Sequence, residues 1–178
     1  MDTVSIARLT AWLARFETLL IERGDHTGLG PGMTAVLEKL AGRPAQTTVG
    51  ELFTTVGMTL VGSASRASGP LYGTFFLRFG MDSGAAPALD AATLGRALRA
   101  GLEGAVARGS EAIGGTTMLE VLSRGIEAYD AEIAGGADAA TATSTASAAA
   151  RGTGDQLDPD AASAALLLEA LATALRSG

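Results

Sequence analysis

The residue pair in this sequence that is best suited to move protons is Asp25-His26, in the glycine-rich stretch GDHTGLGPG (24–32). His26 is the only histidine in the chain, and histidine is the side chain that exchanges a proton near neutral pH. The adjacent carboxylate could orient the imidazole or share a metal ion with it. The same pair is also expected in a structural turn in which Asp25 caps the following helix. The spacing alone leaves both interpretations open.

A second group of polar residues interrupts the apolar stretch MTLVGSASRASGPLYGTFFLRF (58–79). Ser65, Ser68 and Gly69 are small enough to let a ligand approach the backbone closely. Arg66 lies among them without a packing reason, and an arginine can bind an anion. A third glycine-containing junction lies at 114–117. The alternative is that each junction only turns the chain between two helices.

Several familiar catalytic patterns are missing from the sequence. It has no Walker phosphate-binding pattern and no strand followed by a Rossmann glycine pattern. It also lacks the spaced cysteine and histidine sets of a zinc site. One histidine and many serines do not define a Ser-His-Asp arrangement, since that arrangement depends on geometry.

The composition predicts a cytoplasmic globular protein with one domain spanning residues 1–178. Of the 178 residues 47% are hydrophobic and 18% charged, and no cysteine is present. The net charge of −6, with scattered basic residues, argues against nucleic acid as a partner. The N-terminus does not resemble a signal peptide. No apolar stretch reaches the roughly 20 residues that a membrane span needs.

Apolar residues at three- and four-residue steps predict an all-α fold of about eight helices, which short connections should make antiparallel. In the first predicted helix, from Val4 to Leu20, Asp2 or Thr3 is a candidate cap, and Thr48 is one for the third. We expect Trp12 and the pair Phe75-Phe76 to belong to the core. The other predicted helices are 33–40, 49–61, 71–79, 89–108, 117–133, 139–150 and 161–175.

The stretch MTLVGSASRASGPLYGTFFLR resembles the junction between the third and fourth helices of the nucleotide-binding L-type domain of dihydroxyacetone kinases (the DhaL family). The match is essentially residue for residue over ASGPLYGTFF (67–76). Three more segments match in the family's order: DHTGLGPGM (25–33), GGTTMLEVL (114–122) and LDPDAASAALLLEAL (157–171). The resemblance covers essentially the whole chain. It implies an antiparallel eight-helix barrel with a nucleotide site at one end and an apolar interior that can hold a lipid-like molecule in the family.

The family's magnesium site is incomplete in this sequence. In the family, three aspartates hold two magnesium ions against the nucleotide phosphates, and phosphoryl transfer depends on those cations. Here LLIERG (19–24) runs directly into Asp25 and His26, which match only the last aspartate and the histidine of that loop. The other two aspartates have no counterpart, with Glu22 as a conceivable substitute. Asp25 is therefore the only matched metal ligand.

The other nucleotide-contacting segments of the family are also altered. Ser65-Arg66 replaces a Gly-Gly pair, and Gly115-Thr116 replaces Asp-Lys. The segment that covers the base is shortened to RGTGDQ (151–156), and Asp160 replaces a glycine. We therefore predict negligible kinase activity and expect no cofactor. Magnesium and ADP or ATP are expected only if the family site survives.

We predict a repurposed domain that binds a small organic ligand in the barrel or at its mouth, where it could catalyse metal-free isomerisation or cyclisation. If the family layout holds, Asp25 and His26 are the catalytic residues, and the ligand-binding residues are Ser65, Arg66, Ser68, Gly69 and Thr117. One alternative is a non-catalytic partner or regulatory subunit of a kinase-type complex, or a homodimer. Another is a residual phosphotransferase of the dihydroxyacetone kinase type. A ligand-sized cavity beside His26 favours ligand binding, whereas a filled interior with an exposed apolar patch favours a protein partner.

Overall fold

The computed structural model describes residues 2–25, 27–63, 68–109, 116–152 and 159–177. These residues confirm the predicted all-α fold with eight helices. The helices are α1 (Ile6–Glu22), α2 (Leu29–Ala41), α3 (Val49–Ser63), α4 (Ser68–Ser83), α5 (Ala91–Gly109), α6 (Thr116–Ala134), α7 (Ala139–Arg151) and α8 (Pro159–Arg176).

The eight helices form a closed ring. Each helix packs against the next one in the chain, and α8 packs back against α1. A short antiparallel strand pair, β1 (Val4–Ser5) with β2 (Ala88–Leu89), ties the start of the chain to the connection between α4 and α5. None of the described helices is long and apolar enough to cross a membrane.

The helix starts differ from the sequence predictions in two places. Asp2 and Thr3 do not cap α1, because the strand pairing of Val4 keeps the backbone extended there. Ser5 is the cap instead, and its hydroxyl accepts a hydrogen bond from the backbone N–H of Arg8 at 3.3 Å. The second helix begins at Leu29, four residues before the predicted start, so Pro31 lies in its first turn. A proline is tolerated there because the N–H groups of the first turn have no partner within the helix.

The predicted cap of α3 is confirmed. The hydroxyl of Thr48 accepts a hydrogen bond from the N–H of Glu51 at 3.1 Å, and the Glu51 carboxylate accepts one from the N–H of Thr48 at 3.3 Å. This reciprocal pair is a capping box.

The core of the ring is filled by aromatic side chains. The centroid of Trp12 on α1 lies 5.8 Å from the ring centroids of Phe53, Phe76 and Phe79, and its indole N–H donates to the Leu167 carbonyl of α8 at 2.9 Å. All of these rings are fully buried. We call this group, with Phe16, Tyr72 and Phe75, the aromatic cluster. The prediction that Trp12 and Phe75-Phe76 are core residues is confirmed.

The helices α3 and α4 pack unusually closely because glycines face each other across the contact. A Cβ atom added to Gly57 would lie 2.8 Å from the Gly73 carbonyl oxygen, and one added to Gly50 would lie 2.5 Å from that of Gly84. Gly73 belongs to the LYGTFF motif, so part of that motif has a packing role.

Candidate functional site

Three helix termini meet at one end of the ring: the C-terminus of α1, the N-terminus of α2 and the N-terminus of α8. Between α1 and α8 lies a cavity of about 80 Å³, lined by apolar Leu20 and Leu166 and by polar Asp25, Thr27 and Ser163. A water molecule in the liquid occupies roughly 30 Å³, and ligand pockets usually exceed roughly 300 Å³. This cavity can hold a few waters but is too small for an organic substrate.

Asp25 is held firmly by the turn that starts α2. Its Oδ1 accepts hydrogen bonds from the N–H of Thr27 at 2.8 Å and from the Thr27 hydroxyl at 2.5 Å. Its Oδ2 accepts one from the N–H of Gly30 at 2.6 Å. The Thr27 hydroxyl in turn accepts from the N–H of Leu29 at 3.2 Å. Asp25 therefore satisfies the N–H of Gly30, which belongs to the first turn of α2 and has no partner within the helix, and it also fixes the turn at Thr27 that leads into α2.

The surroundings of Asp25 favour its charged form. Partial burial opposes ionisation of Asp25 and by itself would raise its pKa. Hydrogen bonds outweigh this effect and lower the pKa; they come from the Thr27 hydroxyl and from the backbone N–H groups of Gly30, Thr27 and Gly28. Negative charge at a helix N-terminus is also stabilised by the helix dipole. A carboxylate with a lowered pKa is a weak general base at neutral pH, because it holds a proton poorly.

We expect the substitution Asp25→Ala to lower the free energy of unfolding by about 1–2 kcal/mol at pH 7, the usual cost of removing a helix cap. The pKa of Asp25 is lowered in the folded state, so its contribution to stability is present above the pKa of an unfolded aspartate, roughly 3.9. The contribution is lost as the pH falls through the folded-state pKa. Urea unfolding at pH 7 and at pH 3 should therefore show the difference between the variant and the wild type shrinking at the lower pH.

The matched control for this substitution is Glu103→Ala, which removes an exposed carboxylate from α5. It should change stability by less than about 0.5 kcal/mol. If Asp25→Ala were as mild as Glu103→Ala at pH 7, or if it stabilised the fold, the carboxylate would not be acting as a cap.

A buried hydrogen-bond chain joins α4 to α8 beside the cavity. The Tyr72 hydroxyl lies 2.7 Å from Ser163 Oγ, which donates to the carbonyl oxygen of Asp160 at 2.6 Å. Since the Ser163 proton is used in that second bond, the Tyr72 hydroxyl is the donor in the first. Burial raises the pKa of Tyr72 far above its ordinary value. Tyr72 is therefore a neutral donor that fixes the first turn of α8, and not a proton shuttle.

The structure places some of the predicted site residues and not others. Ser68 and Gly69 are the first two residues of α4, are buried, and precede Tyr72 by one turn. Thr117 is the second residue of α6. The remaining predicted residues, His26, Ser65 and Arg66, lie outside the described residues.

The described part of this site does not fit a magnesium ion. Magnesium takes several hard oxygen ligands in octahedral geometry, but Asp25 is the only carboxylate among the described residues that line the cavity. Within 2–25, 27–63, 68–109, 116–152 and 159–177, no three histidine, aspartate or glutamate side chains are grouped closely enough to hold a metal ion.

Two residues with clear roles at this end were not singled out from the sequence. Thr27 anchors the Asp25 carboxylate, and the Asp-x-Thr spacing just before a helix is a recognisable capping signal. Ser163 is a buried polar residue among the apolar buried residues of α8, so it must find a hydrogen-bond partner. That partner, Tyr72, is 91 positions away and could not be identified from spacing.

A comparison with protein-family models matches residues 24–173 of this chain to the DAK2 domain. The match begins at the turn that holds Asp25 and ends within α8. It therefore includes most of the cavity lining except Leu20 and Arg23, the aromatic residues of α3 and α4, and the Tyr72–Ser163 hydrogen bond.

Three curated relatives have similar sequences. The ADP-binding subunit DhaL of the PEP-dependent dihydroxyacetone kinase of Escherichia coli (strain K12) is 37% identical over 98 residues, which cover 54% of this chain and 46% of that protein. The ADP-binding subunit DhaL of PEP-dependent dihydroxyacetone kinase 1 of Listeria innocua is 41% identical over 105 residues, or 55% of this chain and 49% of that protein. The ADP-binding subunit DhaL of the PTS-dependent dihydroxyacetone kinase of Lactococcus lactis is 37% identical over 101 residues, or 56% and 50%. The aligned part of this chain thus spans about half the length of each relative.

Proposed function

Because this chain belongs to the DAK2 domain family, as a DhaL-like domain of the dihydroxyacetone kinase type, we propose that it acts by binding a protein partner and not as a magnesium–nucleotide kinase. The observation that carries this proposal is the position of Asp25. The only metal ligand that matches the family is used as a helix cap, with three hydrogen bonds to its two oxygens.

The filled interior supports a binding role over an internal catalytic pocket. The aromatic cluster occupies the space between α1, α3 and α4, and its side chains are fully buried. One continuous hydrophobic core includes residues from all eight helices, which also supports the proposal that residues 1–178 form a single domain. Among the described residues, five large apolar side chains are exposed, but they are spread over four helices: Ile21, Met58, Val61, Met81 and Val106.

The relatives also support a role within an assembly. Each of the three is named as a subunit of a dihydroxyacetone kinase. A chain that keeps the fold of such a subunit while losing its metal ligands could still dock onto a partner. We propose that this docking is the retained function.

We expect Mg-ADP and Mg-ATP to leave the melting temperature of this protein unchanged. A ligand that binds only the folded state raises the free energy of unfolding by mass action, by about 2.7 kcal/mol at a hundred times its Kd. The melting temperature rises with it. The E. coli ADP-binding subunit is the positive control and should be stabilised under the same conditions. A melting temperature that rises with Mg-ADP concentration for both proteins would contradict the proposal.

A second candidate function is binding of a small organic ligand at the mouth of the ring, with Asp25 and His26 as acid–base groups. The mixed lining of the cavity beside Asp25 favours it, because polar Thr27 and Ser163 and apolar Leu20 and Leu166 line it together, although the cavity is too small to enclose the ligand itself. In this proposal the ligand lies over the cavity and contacts Ser65, Arg66, Ser68, Gly69 and Thr117. A metabolite found by ligand-observed NMR screening should bind at least about tenfold more weakly to His26→Ala. Equal affinity for the variant would contradict this role.

A further inference from the structure

A groove on the side of the ring is formed by α1 and α8, and it shares no lining residue with the cavity beside Asp25. Its volume is about 490 Å³. Four of its nine lining residues are alanines: Ala7, Ala11 and Ala14 from α1 and Ala174 from α8.

The spacing of these residues places them on one face of α1. Ala7, Ala11, Ala14 and Thr18 recur at steps of four, three and four residues, so they lie in one row along the helix. The opposite face carries Leu9, Trp12 and Phe16, which are buried in the core. Methyl-sized side chains let a second helix approach to an axis distance near 8 Å. The groove thus has the shape that an additional α-helix requires.

The charges along the groove favour a partner helix that carries acidic side chains. Arg8 and Arg15 both line it, while no carboxylate does. They are seven residues apart, which corresponds to about 10.5 Å along a helix. This is a positive strip on a chain whose net charge is −6.

Neither arginine has an acidic partner in the described part of the chain. The ion pairs found there, within 4.0 Å, involve Arg23, Arg96, Arg99 and Arg151. In addition, the buried Nε–H of Arg15 donates no hydrogen bond among the described residues. Both arginine side chains are partly exposed and line the groove, so a carboxylate of another molecule can pair with their charge.

We propose that this groove is the docking site for an α-helix of a protein partner that carries two carboxylates seven residues apart. The carboxylates would pair with Arg8 and Arg15, and small or apolar residues between them would pack on Ala11 and Ala14. The proposal rests on the partner-binding function proposed above and names the surface that performs it. A second copy of this chain docking through the same groove on a two-fold axis would bring like charges together, so a different protein is favoured.

The experiment is a selection from a displayed library of randomised helical peptides, with the whole wild-type chain as bait. We expect the selected peptides to be enriched in glutamate or aspartate at a spacing of seven residues. A synthetic selected peptide should bind the Arg8→Glu/Arg15→Glu variant at least about tenfold more weakly. Its charge-reversed version, with lysines in place of the acids, should bind that variant better than the wild type.

Two further variants test whether a loss of peptide binding is caused by the groove itself and not by the change in net charge or by misfolding. Lys39→Glu/Arg108→Glu makes the same change in net charge at exposed positions on α2 and α5 and should leave peptide affinity within about twofold. Ala11→Trp adds no charge but fills the groove at an exposed position, so it should abolish binding while circular dichroism shows an intact fold.

The docking proposal is overturned if selection yields no acidic enrichment, or if Arg8→Glu/Arg15→Glu and Ala11→Trp leave peptide binding unchanged. This outcome is distinct from failure of the proposed function. A melting temperature raised by Mg-ADP would show that the protein binds nucleotide, and it would contradict the proposed function independently of the peptide result.

Discussion

Replacing Trp12 by alanine is expected to lower the free energy of unfolding by about 3–5 kcal/mol, the usual cost of removing a large aromatic side chain from a core. The Trp12 ring is fully buried against three phenylalanine rings and also donates a hydrogen bond to the Leu167 carbonyl. The neighbouring rings cannot close the space without leaving their packed positions. Urea unfolding followed by circular dichroism measures the loss.

The control for this substitution is Trp12→Phe, which keeps an aromatic ring and most of the apolar volume. It should cost clearly less than Trp12→Ala, since only the outer part of the indole and its hydrogen bond to Leu167 are removed. A cost below about 1 kcal/mol for Trp12→Ala would mean that the interior tolerates a void. That outcome would contradict a filled interior and would support the prediction of a ligand pocket inside the barrel.

The second large effect is expected at the contact between α3 and α4. Gly57→Ala should destabilise the fold by about 1–3 kcal/mol, because its new methyl group would overlap Leu77 and lie 2.8 Å from the Gly73 carbonyl oxygen. The methyl group meets backbone as well as side chain, so a rotamer change of Leu77 does not relieve the overlap. The two helices must move apart to accept it.

Gly62→Ala is the matched control within the same helix. A Cβ atom at Gly62 meets no atom within 4 Å, so alanine should stabilise the fold by roughly 0.5–1 kcal/mol through its better helix propensity. The two glycine variants should therefore shift the urea midpoint in opposite directions. If both were stabilising, the close approach of α3 and α4 would not depend on glycine.

The helices could be predicted from the sequence because apolar residues at helical spacing determine which face of each helix is buried. The start of α2 was predicted at Met33 instead of Leu29 because glycines and a proline at 30–32 suggest a turn. The Asp25 cap overrides that local preference through hydrogen bonds to Thr27 and Gly30. The cap of α1 was misplaced because it depends on pairing between Val4 and Leu89, which are 85 positions apart in the chain.

The candidate site was only partly predictable. A capping role for Asp25 was one of the two interpretations that the sequence left open, whereas the placement of a ligand site at this end of the fold stays a prediction. The Tyr72–Ser163 contact could not be predicted because it joins α4 and α8 across the ring, and these helices are not adjacent in the ring or in the chain. The spacing of Arg8 and Arg15 already places both on one face of α1, but the groove was missed because its second wall forms only when α8 packs beside α1.

The most direct test of the central claim asks whether Asp25 caps α2 or holds a metal with nucleotide. In two-dimensional NMR of the ¹⁵N-labelled protein, paramagnetic Mn²⁺ serves as a substitute for Mg²⁺ and is added with ADP. The backbone N–H groups of Thr27 and Gly30, which donate to the Asp25 carboxylate, report on any metal bound there. Our account predicts that their signals stay as sharp as those of amides at the opposite end of the ring, such as Gly84 just after the C-terminus of α4. Selective broadening of the Thr27 and Gly30 signals at low Mn²⁺ concentration would contradict it.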